Sequence, residues 1–374
     1  MAQAQKYPPG TDPDLDPPPS LVGVRGWLMQ NIFSTPFNMV VSAACIYLLY
    51  SIIPPLFSWL VFDATYGSVR TDCAAEPGTR EGACWPFIVF WFKQLMYGRY
   101  PDAELWRINL SYVIFTVSMI TLFIPSFRYK HWVGAFLLFV FPVICFYLYA
   151  GGSFGLMSVE TPVWGGFFLT LVIAFTGIVA SLPLGVVLAL GRQSDMPIVK
   201  SLCVCFIELV RGVPLITVLF MSSVMFPLFL PDGMNFDKLV RALVGVTLFS
   251  AAYMAEVVRG GMQAIPRGQY EGAQAMGLGY WRMMILVILP QALKLVIPAI
   301  VSSFIGLFKD STLVLVIGLF DFLGMAQAVA TNTDWLGFSI EGYVVVAFGF
   351  WICCFGMSRY SMALEEKLNT GHKR

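Results

Sequence analysis

Long charge-free stretches alternate with short polar segments along most of this chain. A helix that crosses a bilayer needs about 20 predominantly apolar residues. Stretches of that kind lie near residues 37–60, 108–127, 132–150, 164–190, 206–230, 239–258, 291–318 and 340–358. They predict an all-α integral membrane fold of about eight transmembrane helices. Lys and Arg accumulate in short cytoplasmic loops. With the N-terminus placed in the cytoplasm, Arg128, Lys130, Arg192, Lys200, Arg259, Arg267, Arg282 and Arg359 fall on that side. Most basic residues of the opposite side (Arg70, Arg80, Lys93, Arg99) fall in one long loop, where charge counts less. An even number of spans returns the C-terminus to the cytoplasm.

The polar segments divide the chain. Residues 1–25 hold six prolines within the first 20 positions and little apolar content, which reads as a disordered cytoplasmic tail. Without an apolar core near the start there is no cleavable signal peptide to expect, so the tail is expected to stay attached. Residues 26–155 form an extension of about three spans, with a long outside loop at 63–106. Residues 156–374 carry five spans and a polar connection at 259–290. The outside loop contains Cys73 and Cys84, either a disulfide or two free thiols. A crosslink there would restrain a loop otherwise costly to order, and that reading is preferred. The remaining cysteines lie in apolar runs and read as packing residues. The aromatic-rich segment 85–97 is suited to a membrane interface, where Trp and Tyr are favoured.

Composition narrows the classes. The sequence is 58% hydrophobic and 12% charged, with a mean hydropathy of +0.75. Soluble domains carry about 25% charged residues, so the lipid bilayer is this protein's solvent. A net charge of +1 with sparse basic patches gives no nucleic-acid partner. Only His131 and His372 are present, which excludes a multi-histidine metal site or an HExxH motif. No Gly-Lys dipeptide occurs, so the phosphate-cradling loop that ends in Gly-Lys is absent. The chain is therefore expected to bind no cofactor and to hydrolyse no ATP by itself.

Three polar constellations interrupt the apolar pattern. The first is Glu271-Gly272-Ala273, three residues, Gly277, nine residues, then Val287-Ile288-Leu289-Pro290. Residues 269–276 read as a short helix, and Gly277 permits a sharp turn without a Cβ clash. Such an elbow can present an apolar face to a groove on another protein, with Arg267 and Glu271 for polar anchoring. The blander reading is a cytoplasmic loop with an interfacial helix. The second is Glu208 with Arg211, three apart and so on one helical face. They read as an ion pair that seats the helix at the membrane surface or, less directly, as a gate. The third is Lys309-Asp310-Ser311-Thr312, between charge-free runs inside the seventh span. Charges at that depth are costly and usually functional. The segment is either a pair that holds helices in register or part of a substrate pathway, with Ser311 and Thr312 loosening the helix.

The first constellation matches the coupling-loop signature of ATP-binding-cassette (ABC) importer permeases, with Gly272 and Val287 departing from Ala and Ile. Residues from about 160 to 365 resemble the histidine/glutamate/polar-amino-acid permease family. Glu208-Leu209-Val210-Arg211-Gly212-Val213-Pro214-Leu215, Ala255-Glu256 with Arg259-Gly260-Gly261, and Lys309-Asp310-Ser311-Thr312-Leu313 are each similar to its motifs. The extension with its Cys73/Cys84 loop looks most like the M-type permease subunits of general L-amino-acid transport systems. The resemblance implies a five-helix type I importer core in a bacterial inner membrane. Arg267, Glu271, Gly272, Ala273, Gly277, Leu289 and Pro290 would then couple to an ATPase. It further implies as partners an ABC ATPase dimer carrying ATP and Mg, a second homologous permease or a copy of this chain, and a periplasmic amino-acid-binding protein. An ion-gradient-driven secondary transporter is the alternative. It needs buried acids near the membrane middle, for which only Asp310 and, less well, Glu256 qualify.

Overall fold

The computed structural model describes residues 23–368 except Ser68, 74–81, Pro125, Asp232 and Asn235. The tail expected over 1–25 lies outside the described residues as far as position 22, and residues 23–25 already belong to a helix. Among the described residues there is no named strand, and only isolated bridges occur. The chain divides into two units, Met1–Pro86 and Phe87–Arg374.

The first unit contains α1 (Gly23–Asn31) and α2 (Pro36–Phe57). Thr35 caps α2, its side chain accepting the Asn38 N–H at 3.1 Å, and Pro36 occupies the first turn, where no N–H is needed. A π turn, Ser58–Phe62, extends α2 to a 27-residue apolar span with no residue buried, a surface made for hydrocarbon. Beyond it Cys73 and Cys84 are disulfide-bonded, with Cα atoms 5.9 Å apart. The Trp85 indole donates to the Leu60 carbonyl at 3.1 Å, tying the loop to the end of the span.

The second unit holds α4 (Leu105–Phe123), α5 (Lys130–Ala150) and α6 (Gly166–Arg192). There follow α7 (Pro197–Arg211), α8 (Leu215–Phe229), α9 (Lys238–Gln263) and α10 (Arg267–Ala275). After these come α11 (280–295), α12 (Ile297–Asp310), α13 (Phe322–Ala330) and α14 (Ser339–Leu368). Ahead of α4, part of the expected outside loop is the helix α3 (Trp85–Tyr97). Phe87 and Leu95 are buried while Phe92 and Lys93 stay exposed, a helical rather than a loop pattern.

Among the described residues seven helices are long and apolar enough to cross a membrane, and α7 with α8 forms an eighth, broken candidate bent by 106°. The straight span expected at 206–230 is corrected by that bend. Gly212 and Pro214 sit at the break, and proline supplies neither the N–H nor the ring clearance a continuing helix requires. The span expected at 291–318 is likewise divided. Val296 ends α11, and α12 passes at Asp310 into a 3-10 stretch, Ser311–Ile317, closed by Gly318 at φ +73°.

The α6–α9 pair is at the centre. A Cβ at Gly185 would lie 2.7 Å from Met254, and one at Gly177 would lie 2.9 Å from Leu307 of α12. Small residues allow backbones to approach in lipid, where dispersion rather than hydrophobic expulsion holds helices together. Two apolar clusters result. One joins α4, α5 and α6 to the first half of α9. The other joins the second halves of α6 and α9 to α10 and α11.

Candidate functional site

α6, α9 and α12 converge on a cavity of about 260 Å³. Ser181 comes from α6, Ser250 and Tyr253 from α9, Ser303 and Asp310 from α12, and Phe249 and Phe304 complete the wall. Ser303 and Asp310 are seven residues apart, two helical turns, and so share a face. Lys309 is exposed and does not line the cavity. Adjacent helical residues point about 100° apart, so the two charges cannot serve one face. The Ser311 hydroxyl donates to the Phe308 carbonyl at 2.7 Å and that of Thr312 to Lys309 at 2.9 Å. Neither lines the cavity. Of the four residues read as one segment, only Asp310 reaches it, joined by three serines the sequence reading missed. Their signal was present as lone small polar residues within apolar spans.

One turn along α9 from Tyr253 is Glu256, the hub of a charge cluster. Arg192 Nη1 and Arg259 Nη2 each lie 2.8 Å from its carboxylate and Arg211 Nη1 lies 3.7 Å away. Arg192 also bonds Glu208 at 2.8 Å. The expected Glu208–Arg211 pair is therefore corrected: each residue takes a partner on another helix, from α6 and α9. The Arg211 guanidinium lies 5.5 Å from the centre of the Tyr253 ring, within the range where a cation is drawn to an aromatic face. A single face of α9 thus joins the cavity wall to the cluster.

The same helix leads into the elbow. α10 ends in a Schellman turn. Leu278 N–H donates to the Ala273 carbonyl at 3.2 Å and Gly277 N–H to Gln274 at 2.9 Å, with Gly277 at φ +75°. Ala273 is buried against Met283, Met284 and Ile288, while Arg267, Glu271 and Gly272 are exposed. Gln291 donates to the Gln269 side chain at 3.2 Å, and the Tyr270 hydroxyl donates to the Met262 carbonyl at 3.1 Å. The π turn Met284–Ile288 immediately precedes Leu289 and Pro290, as expected where a proline removes a helical N–H. Met276 and Trp281 stand 81% and 64% exposed at the turn, an apolar tip on a rigid base.

Beyond the spans, Asp321 is fully buried and caps α13 by accepting the N–H groups of Leu323 and Gly324. Burial pushes its carboxyl up to about 6 despite those donors. No group of three or more metal-ligating residues occurs among the described residues.

Membrane-length helices around a small cavity that holds one carboxylate and three serines, joined to an ordered elbow, define a polytopic transport subunit. Residues 181–369 match the family described as binding-protein-dependent transport system inner membrane component. The chain belongs to that family, among the amino-acid ABC transporter permeases, which are transport components rather than enzymes. It is 53% identical over 346 residues to the inner membrane amino-acid ABC transporter permease protein YhdY of Escherichia coli K12, across 92% of this chain and 93% of that one. It is 39% identical over 420 residues to the glutamate/glutamine/aspartate/asparagine transport system permease protein BztC of Rhodobacter capsulatus, across 95% and 96%. A crystal structure of an amino acid ABC transporter with histidines is 29% identical, across 54% of this chain and 92% of that one, with a TM-score of 0.48.

Proposed function

We propose that this chain forms the translocation pathway of an importer for a broad range of L-amino acids, paired with a homologous permease or a copy of itself. An ABC ATPase dimer that binds ATP and Mg drives it from the cytoplasmic side, where both termini lie, and a periplasmic amino-acid-binding protein delivers cargo. Residues 156–374 are the importer core, and 26–155 are an extension whose disulfide loop faces the periplasm.

The observation that carries this reading is the continuous face of α9 linking the cavity, the charge cluster and the elbow. Asp310 offers a carboxylate to an amino acid's ammonium, and Ser181, Ser250 and Ser303 can turn hydroxyls to its other polar atoms. Displacement of the elbow by the ATPase would move α10 and α11 with it, because Ala273 and Gln269 are tied to α11. That motion reaches Glu256 and Tyr253 through α9. The reading places no coupling ion in the pathway, in contrast to a gradient-driven carrier.

Uptake by the reconstituted complex tests the cavity assignment. Asp310→Asn should lower uptake at least tenfold while the ATPase still co-purifies, and Lys309→Gln should leave uptake within about twofold. Normal uptake by Asp310→Asn would refute the pathway reading. Loss of ATPase binding in both variants would point to a structural pair instead.

A further inference from the structure

Glycine is the poorest helix former after proline, so a glycine inside a membrane helix calls for a reason. For several glycines of this chain the reason is close packing, as is usual in lipid. A Cβ at Gly177, Gly185, Gly245 or Gly261 would come between 2.7 and 2.9 Å from an atom of a neighbouring helix. Gly306 is different. It lies inside α12 in ordinary helical backbone, and a Cβ on it would meet no atom within 4 Å. Neither packing nor a turn accounts for it. Open space beside a helical glycine is not in itself a site, since Gly260 and Gly356 have it too. At Gly306 that space is the cavity of Ser181, Ser250 and Asp310, because Gly306 is among the residues that line it. Ser303 and Asp310, one turn to either side on the same helical face, line it as well. The missing side chain is therefore cavity volume, directly beside the carboxylate.

The volume at stake is a large share of the whole. The cavity holds about 260 Å³, roughly nine waters at about 30 Å³ each. Taking each added carbon as roughly one water's share, alanine at this position would remove about a tenth of the space and valine about a third. The α9 wall has little room to retreat. Phe249 and Tyr253 stand with ring centres 4.9 Å apart, and Met254 is buried. Atoms forced into such a space displace their neighbours rather than share it.

We propose that Gly306 sets the largest amino-acid side chain that the pathway admits. Gly306 precedes Asp310 by four residues, about 6 Å along the helix axis. With a substrate's ammonium held at Asp310, its Cα and first side-chain atoms fall beside Gly306. A wall without a side chain at that point lets short and long side chains stand on the same ammonium site, which is what a broad cargo range requires. This size limit rests on the pathway reading above, to which it adds a residue.

Maximal uptake by the reconstituted complex tests this, with radiolabelled L-alanine, L-glutamate, L-glutamine and L-phenylalanine each supplied singly at saturation. The binding protein's own preference then cancels between variant and wild type. Gly306→Val should keep alanine uptake within about twofold of wild type and lower phenylalanine uptake at least tenfold, with the other two between. Gly306→Ala should keep the same order, compressed to about two- or threefold at phenylalanine. Phe249→Leu, which returns volume from α9, should recover at least threefold of the phenylalanine uptake lost in Gly306→Val. Ratios equal for all four amino acids in both Gly306 variants would overturn the proposal. Equally low ratios would set Gly306 against the second permease, and equally normal ones would set it outside the pathway. A wild type that carries only one size of side chain would overturn it too. Asp310→Asn separates the two readings. If it loses uptake while the Gly306 variants treat all cargo alike, the cavity carries substrate and only the size limit is wrong. If it transports normally, the pathway reading itself fails. ATPase co-purification and thermal melting check that each variant assembles. Gly306→Ala, which favours the helix, keeps the test valid if Gly306→Val does not fold.

Discussion

The turn that ends α10 offers a clean perturbation. Gly277 has φ +75°, and a Cβ placed on it would meet no atom within 4 Å, so substitution there changes backbone strain and little else. An L-residue held in the left-handed region costs roughly 1–2 kcal/mol. At about 1.4 kcal/mol per tenfold, that is a shift of roughly 5- to 30-fold toward an opened turn. Gly277→Ala should accelerate exchange of the amides at positions 277 and 278, which donate to Gln274 and Ala273 at 2.9 and 3.2 Å, by that factor in hydrogen–deuterium exchange. Asn visits the left-handed region more readily, so Gly277→Asn should fall closer to wild type. Gly272 supplies the opposite sign. It lies within α10, and a Cβ there also meets nothing within 4 Å. Gly272→Ala should therefore slow exchange across α10 by stabilising the helix by up to about 1 kcal/mol. Uptake by the reconstituted complex should fall with Gly277→Ala and survive Gly272→Ala. The reasoning fails if both glycines respond in the same direction, or if Asn proves as damaging as Ala at position 277.

The charge cluster should show a hub and a rim. Glu256→Gln leaves three arginines around a neutral amide and should destabilise the chain by on the order of 3 kcal/mol. Glu208→Gln, whose side chain is 55% exposed, should cost below about 1 kcal/mol, and equal losses in thermal melts would contradict the assignment of Glu256 as hub. Asp321, with its carboxyl at about 6 against about 3.9 unfolded, holds its proton more tightly when folded. Stability should fall as pH rises from about 4 to about 6 and level off above. Asp321→Asn keeps the helix cap and should remove that slope, so a melting difference between the two proteins that stays flat across the window would sink the burial argument. Thiol tagging of denatured protein should add two tags when reduction precedes it, from Cys73 and Cys84, and an unchanged count would exclude their disulfide. Ser311→Val with Thr312→Val should transport normally, because neither residue lines the cavity; loss of uptake would place them in the pathway after all.

Hydropathy alone located every membrane-length helix among the described residues, because twenty apolar residues in succession have no other economical place than lipid. The register of the elbow was legible too. A short helix, a glycine free to take positive φ and a proline after it are local instructions that need no distant partner, and Gly277 and Pro290 act through their own backbones. Where the sequence misled, a partner far along the chain decided the outcome. Glu208 and Arg211 are correctly spaced for each other, yet Arg192 and Glu256, brought in by the packing of α6 and α9, claim them first. Gly212 and Pro214 warned of a weak helix, but the bend of 106° depends on what each arm packs against. Asp310 was visible as a charge in an apolar span. That it shares a cavity with Ser181 and Ser250 was not, since those serines come from helices whose close approach depends on Gly177 and Gly185. Spans, turns and caps are properties of neighbouring residues and can be read in order, whereas a cavity belongs to three helices at once and exists only when they meet.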